Sequence, residues 1–556
     1  MTMLAYTAGP VDDSVRGLTV GGALRAAVQH WGDAEALVSR HQNVRLSWRQ
    51  LDAAADEAAR GLLALNVAHG DRIGIWATTC AEWTVLQFAS ARVGAILVNV
   101  NPAYRPSELL YALDKVGVRM VVTARQFKTS DYHAMLKEVR AEVPTLERVI
   151  ALGTEKTDGP EDLLWSELLA LAPDVADAKL SEREAQVDTH EPINIQFTSG
   201  TTGNPKGATL THRNVVNNGN AIATVLGYTT ADRVCIPVPL YHCFGMGIGN
   251  LGCVTTGATM IYPAESFEPV ATLRAIVEEG VTSIYGVPTM FIGMLEAPEF
   301  AELDTNTLRT GIMGGAPCPI ELMKRVVDEM HASEMTIAYG MTETSPVSAA
   351  TSRRDDLDTR CSTVGTALPN VELKVVDPET GETVGVGEKG ELCSKGYLVM
   401  RGYWEDDAAT ASAIDAEGWM HTGDLAVMDE RGYCNIVGRA KDMLIRGGEN
   451  IYPREIEEVL FQHPAVAGVQ VFGVPDEKMG EEVAAWVSLR DGAVQPSEDE
   501  LRVFCRERLA HFKVPRYWKF VNDFPMTVTG KVQKFKLREM AVEDYGLHAA
   551  AGIVTA

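Results

Sequence analysis

The sequence predicts an α/β protein with a large N-terminal domain followed by a small α+β domain. The chain has 556 residues, which is too many for one hydrophobic core. From residue 15 to about 190, short apolar runs alternate with amphipathic segments, a pattern typical of βα units on a mostly parallel sheet. From residue 442 onward the alternation ends and an α+β pattern replaces it.

Composition excludes several functional classes. The formal charge of -25 argues against a nucleic-acid polymer or an anionic membrane surface as a partner. Nine scattered cysteines without a Cys-x-x-Cys pair favour a reducing compartment, so we expect a cytoplasmic protein. Arg233 to Glu265 lacks charged residues between its ends, but prolines and glycines interrupt it. We therefore expect core strands and a pocket wall there, not a membrane span.

Individual elements support the α/β class. Ser47 and Gln50 form a capping-box signature before a run of apolar residues at helical spacing, which predicts a core-facing helix. Short β-rich runs between helical stretches predict strands at 72–77, 120–123 and 149–152. In the C-terminal region the pattern predicts helices at 453–463 and 498–509, and strands at 466–474 and 483–489.

A loop rich in glycine and hydroxyl side chains follows the predicted strand 193–197. Backbone N–H groups in such a loop can surround an anion, the hydroxyls add donors, and Lys206 adds a positive charge. The spacing differs from a Walker A motif, and Pro205 disfavours a helix that begins at Lys206. The candidate phosphate-binding residues are Thr198, Ser199, Gly200, Thr201, Thr202, Gly203 and Lys206.

The decapeptide 198–207 resembles the phosphate loop of the adenylate-forming superfamily, which contains acyl-CoA synthetases, peptide-synthetase adenylation domains and beetle luciferases. The resemblance continues through further motifs in the family's order over the chain after about residue 40. It implies a small distorted β-barrel beside the parallel sheets and a mobile C-terminal lid. The expected boundaries are 1–438 for the AMP-binding domain, 439–442 for the hinge and 443–556 for the lid.

Two further segments define the expected pocket for the substrate acid. A lone histidine in an apolar run is more often a core residue, but the run 239–245 matches the family segment that lines the carboxylate pocket. Strands at 282–288 and 311–317 end in small residues, which allow a base or substrate to lie against the backbone. The residues assigned to this pocket are His242, Phe244, Gly245, Gly286, Gly314 and Gly340.

The segment 335–343 presents an aromatic ring, a hydroxyl and a carboxylate at the end of a predicted strand. Tyr339 can stack on adenine, Thr342 can donate to phosphate, and Glu343 can bind Mg²⁺. Acetyl-CoA synthetases carry a bulky Trp at the position matching Gly340, so the resemblance implies a pocket that accepts more than acetate. By the same resemblance, Gly315, Ala316 and Pro317 would contact adenine, and Gly340 and Met341 belong to the nucleotide-binding residues.

The resemblance assigns the remaining site residues. Asp424 would hold the ribose hydroxyls, and Arg439 would reach the ribose or phosphate. Lys441 occupies the hinge position, and the Gly447 and Gly448 pair would let the pantetheine arm of CoA pass close to the backbone. The segment 525–534 matches the loop that presents the catalytic lysine of the family, which implies that Lys531 is catalytic together with Glu343 and Thr198.

These observations predict an AMP-forming acyl-CoA synthetase that uses ATP, Mg²⁺ and CoA, most similar to the medium-chain fatty acid branch. An aryl- or short substituted-acid ligase is the nearest alternative within this enzyme class. A stand-alone adenylation enzyme that loads a carrier protein, and a non-enzymatic nucleotide-binding protein, are more distant ones. A homodimer and peripheral membrane association stay open.

Overall fold

The computed structural model describes residues 3–156, 159–198, 205–316, 318–439, 442–446, 449–476, 478–527 and 531–548. Three sheets of five to nine strands belong to the N-terminal part of the chain and one five-stranded sheet to the C-terminal part. Helices cover or connect the strands. The predicted α/β class, with a large N-terminal domain and a small C-terminal one, is confirmed.

An eight-stranded sheet contains the strand that leads into the predicted phosphate loop. Its first six strands are parallel and its last two are antiparallel. In spatial order the strands are Leu163–Leu164, Arg148–Ala151, Met120–Thr123, Arg72–Trp76, Ile96–Asn99, Pro192–Thr198, Lys206–Thr211 and Gly402–Tyr403. The predicted strands at 72–77, 120–123, 149–152 and 193–197 are all present.

A nine-stranded sheet carries the strands expected to contact nucleotide and acid. Its six central strands, from Glu334–Gly340 to Glu35–Ser39, are parallel. In spatial order the strands are Thr366–Ala367, Val347–Ala350, Glu334–Gly340, Thr310–Gly314, Ser283–Gly286, Arg233–Cys235, Thr259–Tyr262, Glu35–Ser39 and Val44–Ser47.

Helices of the N-terminal part pack against these sheets. The predicted capping box is present, because the Gln50 N–H donates to Ser47 Oγ at 3.2 Å and the Ser47 N–H donates to Gln50 Oε1 at 2.8 Å. The α-helices are Val20–Trp31, Trp48–Ala64, Ala81–Arg92, Pro106–Lys115, Tyr132–Val139, Trp165–Ala170, Asp177–Glu184, His212–Val225, Gly252–Thr256, Pro269–Glu278, Pro288–Leu295, Ile320–Glu329, Leu357–Ser362 and Asp407–Ala413.

The uncharged stretch between Arg233 and Glu265 differs from its prediction. Strands Arg233–Cys235 and Thr259–Tyr262 are present, but a π-helix at Phe244–Leu251 and the α-helix Gly252–Thr256 lie between them. Glycines suggested breaks, whereas here Gly252 lies in a helix that packs closely on helix His212–Val225: a Cβ on Gly219 of that neighbouring helix would lie 2.9 Å from the Gly252 nitrogen. Within the described residues, no helix is long and apolar enough to cross a membrane.

A five-stranded antiparallel sheet occupies the part of the chain where the resemblance implies a distorted barrel. In spatial order its strands are Tyr6–Ala8, Val371–Val376, Lys389–Gly396, Met420–Met428 and Cys434–Arg439. Among the described residues the first and last of these strands are edges, so the sheet is open. It carries Asp424 in its fourth strand.

The C-terminal part has its own sheet and its own hydrophobic cluster, which includes Val469, Val487 and Leu501. The strands are Glu449–Ile451, Leu444–Arg446, Gly480–Leu489 and Val466–Asp476 in spatial order, and Tyr517–Phe520 also pairs with Gly480–Leu489. The helices are Pro453–Phe461, Glu498–Arg506 and Lys534–Asp544. The four elements predicted here are present with shifted ends, whereas the exact domain boundaries stay predictions.

Candidate active site

The carboxyl end of strand Pro192–Thr198 brings the start of the predicted phosphate loop to the sheet edge. Thr198 lies opposite Lys206 in the antiparallel register, and Thr198 Oγ1 donates to the Lys206 carbonyl at 3.4 Å. The strand pair therefore joins both ends of the loop. Residues 199–204, which include five of the predicted phosphate contacts, lie outside the described residues.

Glu343 is a buried carboxylate with one fixed hydrogen bond. Glu343 is 5% exposed, and its Oε1 accepts a hydrogen bond from the Tyr403 hydroxyl at 2.8 Å. Burial and the charge of Glu343 raise the pKa of Tyr403, so this hydroxyl keeps its proton. The Lys206 ammonium lies 5.0 Å from the centre of the Tyr403 ring. Tyr403 thus lies between the phosphate-loop lysine and the candidate metal ligand.

His242 is a neutral imidazole at this site. Its Nδ1 accepts from the Phe244 N–H at 3.3 Å, which leaves the ring proton on Nε2. Burial, and then the positive charge of Lys531, lower the pKa of His242 to about 3. The imidazole therefore stays uncharged at neutral pH and can donate through Nε2. Beside it, the Phe244 ring stacks on Tyr285 with centroids 5.6 Å apart.

Lys531 reaches the large domain from the C-terminal part of the chain. A β-bridge between Met526 and Val532 forms the base of its turn, and the Lys531 N–H donates to Thr527 Oγ1 at 3.1 Å. Its Cε lies 3.7 Å from the position a Cβ would take on Gly315, at the end of a central parallel strand. The structure therefore brings Lys531 together with the predicted adenine-binding segment and with His242.

Buried Asp424 and partly buried Tyr339 form a second carboxylate–tyrosine pair. The Tyr339 hydroxyl donates to Asp424 Oδ2 at 2.7 Å, and the Asp424 N–H donates to Thr422 Oγ1 at 3.1 Å. Asp424 lies opposite Arg439 in the strand register, although the Arg439 side chain lies outside the described residues. The predicted ribose ligand and the predicted adenine-stacking ring are thus in direct contact.

Comparison with known proteins decides the family. Residues 24–404 match the family described as AMP-binding enzyme, and residues 455–531 match the AMP-binding enzyme C-terminal domain. The chain belongs to the AMP-binding enzyme family. It is an adenylate-forming acid–CoA ligase of the acyl-CoA synthetase type, and this chemistry uses ATP, CoA and a small-molecule acid.

Two relatives illustrate the similarity of sequence to this AMP-binding enzyme. YngI of Bacillus subtilis (strain 168), whose name places it among the acyl-CoA synthetases, is 46% identical over 545 residues, covering 96% of this chain and 98% of YngI. The mitochondrial medium-chain acyl-CoA ligase ACSF2 of Bos taurus is 42% identical over 561 residues, covering 98% and 91%.

Solved structures agree with the fold of the enzyme. The anthranilate CoA ligase AuaEII in complex with anthranoyl-AMP has a TM-score of 0.86 at 26% identity, covering 95% of this chain and 98% of that one. ATP-bound MatB from Rhodopseudomonas palustris has a TM-score of 0.80 at 28% identity, covering 95% and 100%.

The glycines assigned to the pocket of this AMP-binding enzyme have packing reasons of their own. A Cβ on Gly245 would lie 2.5 Å from the Pro239 carbonyl oxygen, and one on Gly340 would overlap the Pro346 carbonyl. A Cβ on Gly286 would lie 2.8 Å from the Phe291 ring, and one on Gly314 would lie 2.9 Å from the Ala338 oxygen. The missing side chains therefore admit neighbouring backbone and rings, and the pocket assignment stays a prediction.

The structure describes some of the remaining predicted site residues of the enzyme and leaves others outside the described ranges. Thr342 is buried, and its Oγ1 lies 3.9 Å from Cys243 Sγ. The Met341 N–H donates to Thr344 Oγ1 at 3.1 Å, and the Ala316 carbonyl accepts from the Cys318 thiol at 3.4 Å. Pro317, Lys441, Gly447 and Gly448 lie outside the described residues.

Sequence reasoning missed Tyr403 in this AMP-binding enzyme. It lies 60 residues after Glu343, in a two-residue strand at the edge of the eight-stranded sheet. No local periodicity connects the two positions, because the contact arises where two sheets meet. Tyr403 lies between Gly402 and Trp404, and nothing in this segment indicates that contact.

Proposed function

We propose that this protein is a Mg²⁺-dependent acyl-CoA synthetase that activates a medium-chain fatty acid. The observation that supports an adenylation site is the approach of Lys531 to Gly315. His242 is close enough for the Lys531 charge to lower the pKa of the imidazole. The chain length is supported by relatives named as medium-chain acyl-CoA ligases at about 42% identity. A cytoplasmic location is supported by cysteine usage, because all nine cysteines are free and buried.

In the first half-reaction a carboxylate oxygen of the acid attacks the α-phosphorus of ATP. The new P–O bond forms the acyl-adenylate, and the bond to the β-phosphate oxygen breaks to release pyrophosphate. The nucleophile is already an anion, so positioning and charge stabilisation replace general-base catalysis. Lys531 would bridge the carboxylate and α-phosphate oxygens, while His242 would donate its Nε2 proton to the carboxylate in a hydrogen bond.

The residues around Glu343 fit a hard cation that keeps most of its waters. Tyr403 occupies Oε1 of the buried carboxylate, which leaves Oε2 as the second oxygen that can bind Mg²⁺. When bound there, Mg²⁺ would supply positive charge beside the phosphates. The loop from Thr198 to Lys206 would hold the departing pyrophosphate, and Asp424 would hold the ribose.

In the second half-reaction the CoA thiol loses its proton to solvent and the thiolate sulfur attacks the acyl carbonyl carbon. The acyl C–O bond to the phosphate breaks, AMP leaves with that bonding pair, and the thioester forms. The lid would turn about Lys441 between the two steps. That motion would withdraw Lys531 and bring the Gly447 and Gly448 segment to the adenylate. The separate core of the C-terminal part supports a domain that moves as a unit.

An aryl acid is the second candidate substrate. It is favoured by the similarity to AuaEII, which is described as an anthranilate CoA ligase. Carrier-protein loading and a homodimer have no specific observation in their favour.

The test measures pyrophosphate release from ATP and Mg²⁺ with straight-chain acids from acetate to palmitate, with benzoate, and with a methylthio acid, each with and without CoA. We expect sustained, CoA-dependent turnover with a maximum at intermediate chain length. Turnover with benzoate alone would change the substrate assignment to an aryl acid and leave the proposed chemistry unchanged. Turnover that ignores CoA would overturn the synthetase assignment.

A further inference from the structure

Three buried amide side chains form a continuous hydrogen-bonded chain behind the wall of the acid pocket. Asn99 ends the strand Ile96–Asn99, and Asn194 and Gln196 lie on the neighbouring parallel strand Pro192–Thr198. Each residue is at most 3% exposed. Such side chains lose their water on folding and are costly unless protein groups replace it.

The chain runs in one direction from strand to strand. Asn194 Nδ2 donates to Asn99 Oδ1 at 2.8 Å and to the Leu97 carbonyl at 2.9 Å. Gln196 Nε2 donates to Asn194 Oδ1 at 2.7 Å. Each amide therefore fixes which end of the next one is donor and which is acceptor.

The two ends of this chain hold the residues on either side of His242. Asn99 Nδ2 donates to the Tyr241 carbonyl at 2.8 Å, and Gln196 Oε1 accepts from the Cys243 N–H at 2.9 Å. The backbone of 241–243 and the three amides thus form a closed ring. The peptide groups that flank His242 cannot shift without breaking a buried hydrogen bond at one end.

The same strand also leads to the phosphate loop. Gln196 lies two residues before Thr198, where the predicted phosphate contacts begin. A displacement of strand Pro192–Thr198 would therefore move Thr198 and the His242 backbone together. In the proposed first half-reaction, the loop that begins at Thr198 would hold the departing pyrophosphate, and His242 would contact the substrate carboxylate.

We propose that Asn99, Asn194 and Gln196 are positioning residues that fix the His242 imidazole relative to the phosphate loop and so orient the substrate carboxylate. This inference rests on the proposed function of His242 as a donor to that carboxylate. The amides act through the backbone of Tyr241 and Cys243 and do not contact substrate themselves. Their loss should affect the acid more than ATP.

Asn99→Asp is the informative variant because it removes one donor and keeps the shape. One carboxylate oxygen can still accept from Asn194, whereas the other faces the Tyr241 carbonyl and repels it. Protonation of that oxygen restores a donor, and burial raises the pKa of such a carboxyl above its ordinary range. The defect should therefore shrink as the pH is lowered.

The measurement is kcat/KM of adenylation for the acid and for ATP, each relative to wild type at the same pH. At pH 8 we expect the acid value to fall about 10-fold while the ATP value changes less than about 2-fold. At pH 6 the acid value should recover most of the loss. Parallel losses for acid and ATP, or a loss that low pH does not reduce, would overturn the proposal.

Asn217→Asp is the matched control. Asn217 is equally buried, and its Nδ2 donates to the Arg16 and Arg213 carbonyls at 3.1 and 2.8 Å; among the described residues no hydrogen bond joins it to Tyr241, His242 or Cys243. It should not change the ratio of acid to ATP kcat/KM. If it does so with the same pH dependence, the Asn99 effect is general destabilisation and the inference is wrong.

A double-mutant cycle with His242→Ala separates positioning from stability. If Asn99 acts through His242, Asn99→Asp should cost less than about 2-fold in the His242→Ala background. Full additivity contradicts the proposal. If Asn99→Asp does not fold, Gln196→Glu makes the same test from the other end, because its second oxygen needs a proton to donate to Asn194.

A wild-type enzyme that activates no acid would refute the proposed function instead of this inference.

Discussion

The two parts of the molecule hold their candidate catalytic groups in different ways. In the N-terminal part, Glu343 is fixed by Tyr403 and Asp424 by Tyr339, contacts that join residues 60 and 85 positions apart. The backbone of Lys531 has a local hydrogen bond, from its N–H to Thr527 Oγ1 four residues away. Long-range hydrogen bonds therefore fix Glu343 and Asp424, whereas a hydrogen bond within the C-terminal part fixes the Lys531 backbone.

This difference has a mechanistic consequence under the proposed function. A group that must serve both half-reactions has to stay in place, and partly buried long-range hydrogen bonds provide that rigidity. A group needed for adenylation alone can be removed afterwards, provided that its turn keeps its shape during the motion. Variants of the two kinds should accordingly affect the half-reactions differently.

Replacement of Lys531 should have the largest effect on activity. Lys531→Ala removes the charge that would bridge the attacking carboxylate and the α-phosphate, so we expect adenylation to fall on the order of 10²-fold or more. Capture of supplied acyl-adenylate by CoA should survive, because the lysine would be withdrawn in that step. Single-turnover assays of each half-reaction measure both values.

Lys536→Ala is a suitable control for the lysine variant, since it removes an exposed positive charge from the following helix. It should leave both half-reactions within about 2-fold of wild type. Equal loss of adenylation and of CoA capture in Lys531→Ala would contradict the idea that the lysine serves one step.

Replacement of a fixed group should give a smaller but broader loss. Glu343→Gln keeps the shape and the hydrogen bond from Tyr403 but removes the anionic ligand proposed for Mg²⁺, so adenylation should fall about 30-fold. The Mg²⁺ concentration for half-maximal rate should rise as well. Tyr403→Phe, which keeps the carboxylate charge, should lower the rate less. An unchanged Mg²⁺ dependence in Glu343→Gln would exclude the metal assignment.

Strands and helices of this chain were predictable where a local pattern determines them. Capping at Ser47, the apolar run before Thr198 and the alternation of the C-terminal strands all reflect interactions within a few residues. The helical segment 244–256 was missed, because its helix formation depends on burial against a neighbouring helix rather than on local propensity.

The site was predictable through motifs and not through contacts. Lys531, Glu343 and Asp424 lie in recognisable segments, and their roles in the reaction stay predictions. Tyr403 and the amide chain through Asn194 were not foreseen, because their partners are distant in sequence and join different strands. Such contacts need the register of the sheets, which single-sequence patterns do not contain.

A hydrogen-bond variant at the ribose side tests the fixed region more finely. Tyr339→Phe leaves the ring for adenine but removes the donor to Asp424, which should loosen the carboxylate that would hold the ribose. We expect KM for ATP to rise about 5-fold while KM for the acid stays within 2-fold. A rise for the acid alone would contradict the ribose assignment of Asp424.

The smallest effect concerns stability and leaves the rate at pH 7 unchanged. His212 begins the helix His212–Val225 and is 1% exposed. Its Nδ1 accepts a hydrogen bond from the Val20 N–H at 3.0 Å. Burial lowers the pKa of His212 to about 3, against an ordinary value of 6.5. The unfolded chain therefore binds a proton below pH 6.5 that the folded chain excludes, and the free energy of unfolding falls as the pH drops from 6.5 towards 3.

His212→Asn keeps an acceptor for Val20 and removes the titration. Between pH 7 and pH 5 the free energy of unfolding should fall by about 2 kcal/mol less than in wild type, measured by urea unfolding of the N-terminal part. His30→Asn, at an exposed position, should behave like wild type. If both variants keep the wild-type acid sensitivity, the acid lability arises elsewhere. A loss confined to the N-terminal part would extend the contrast between the two domains from their catalytic groups to their stability.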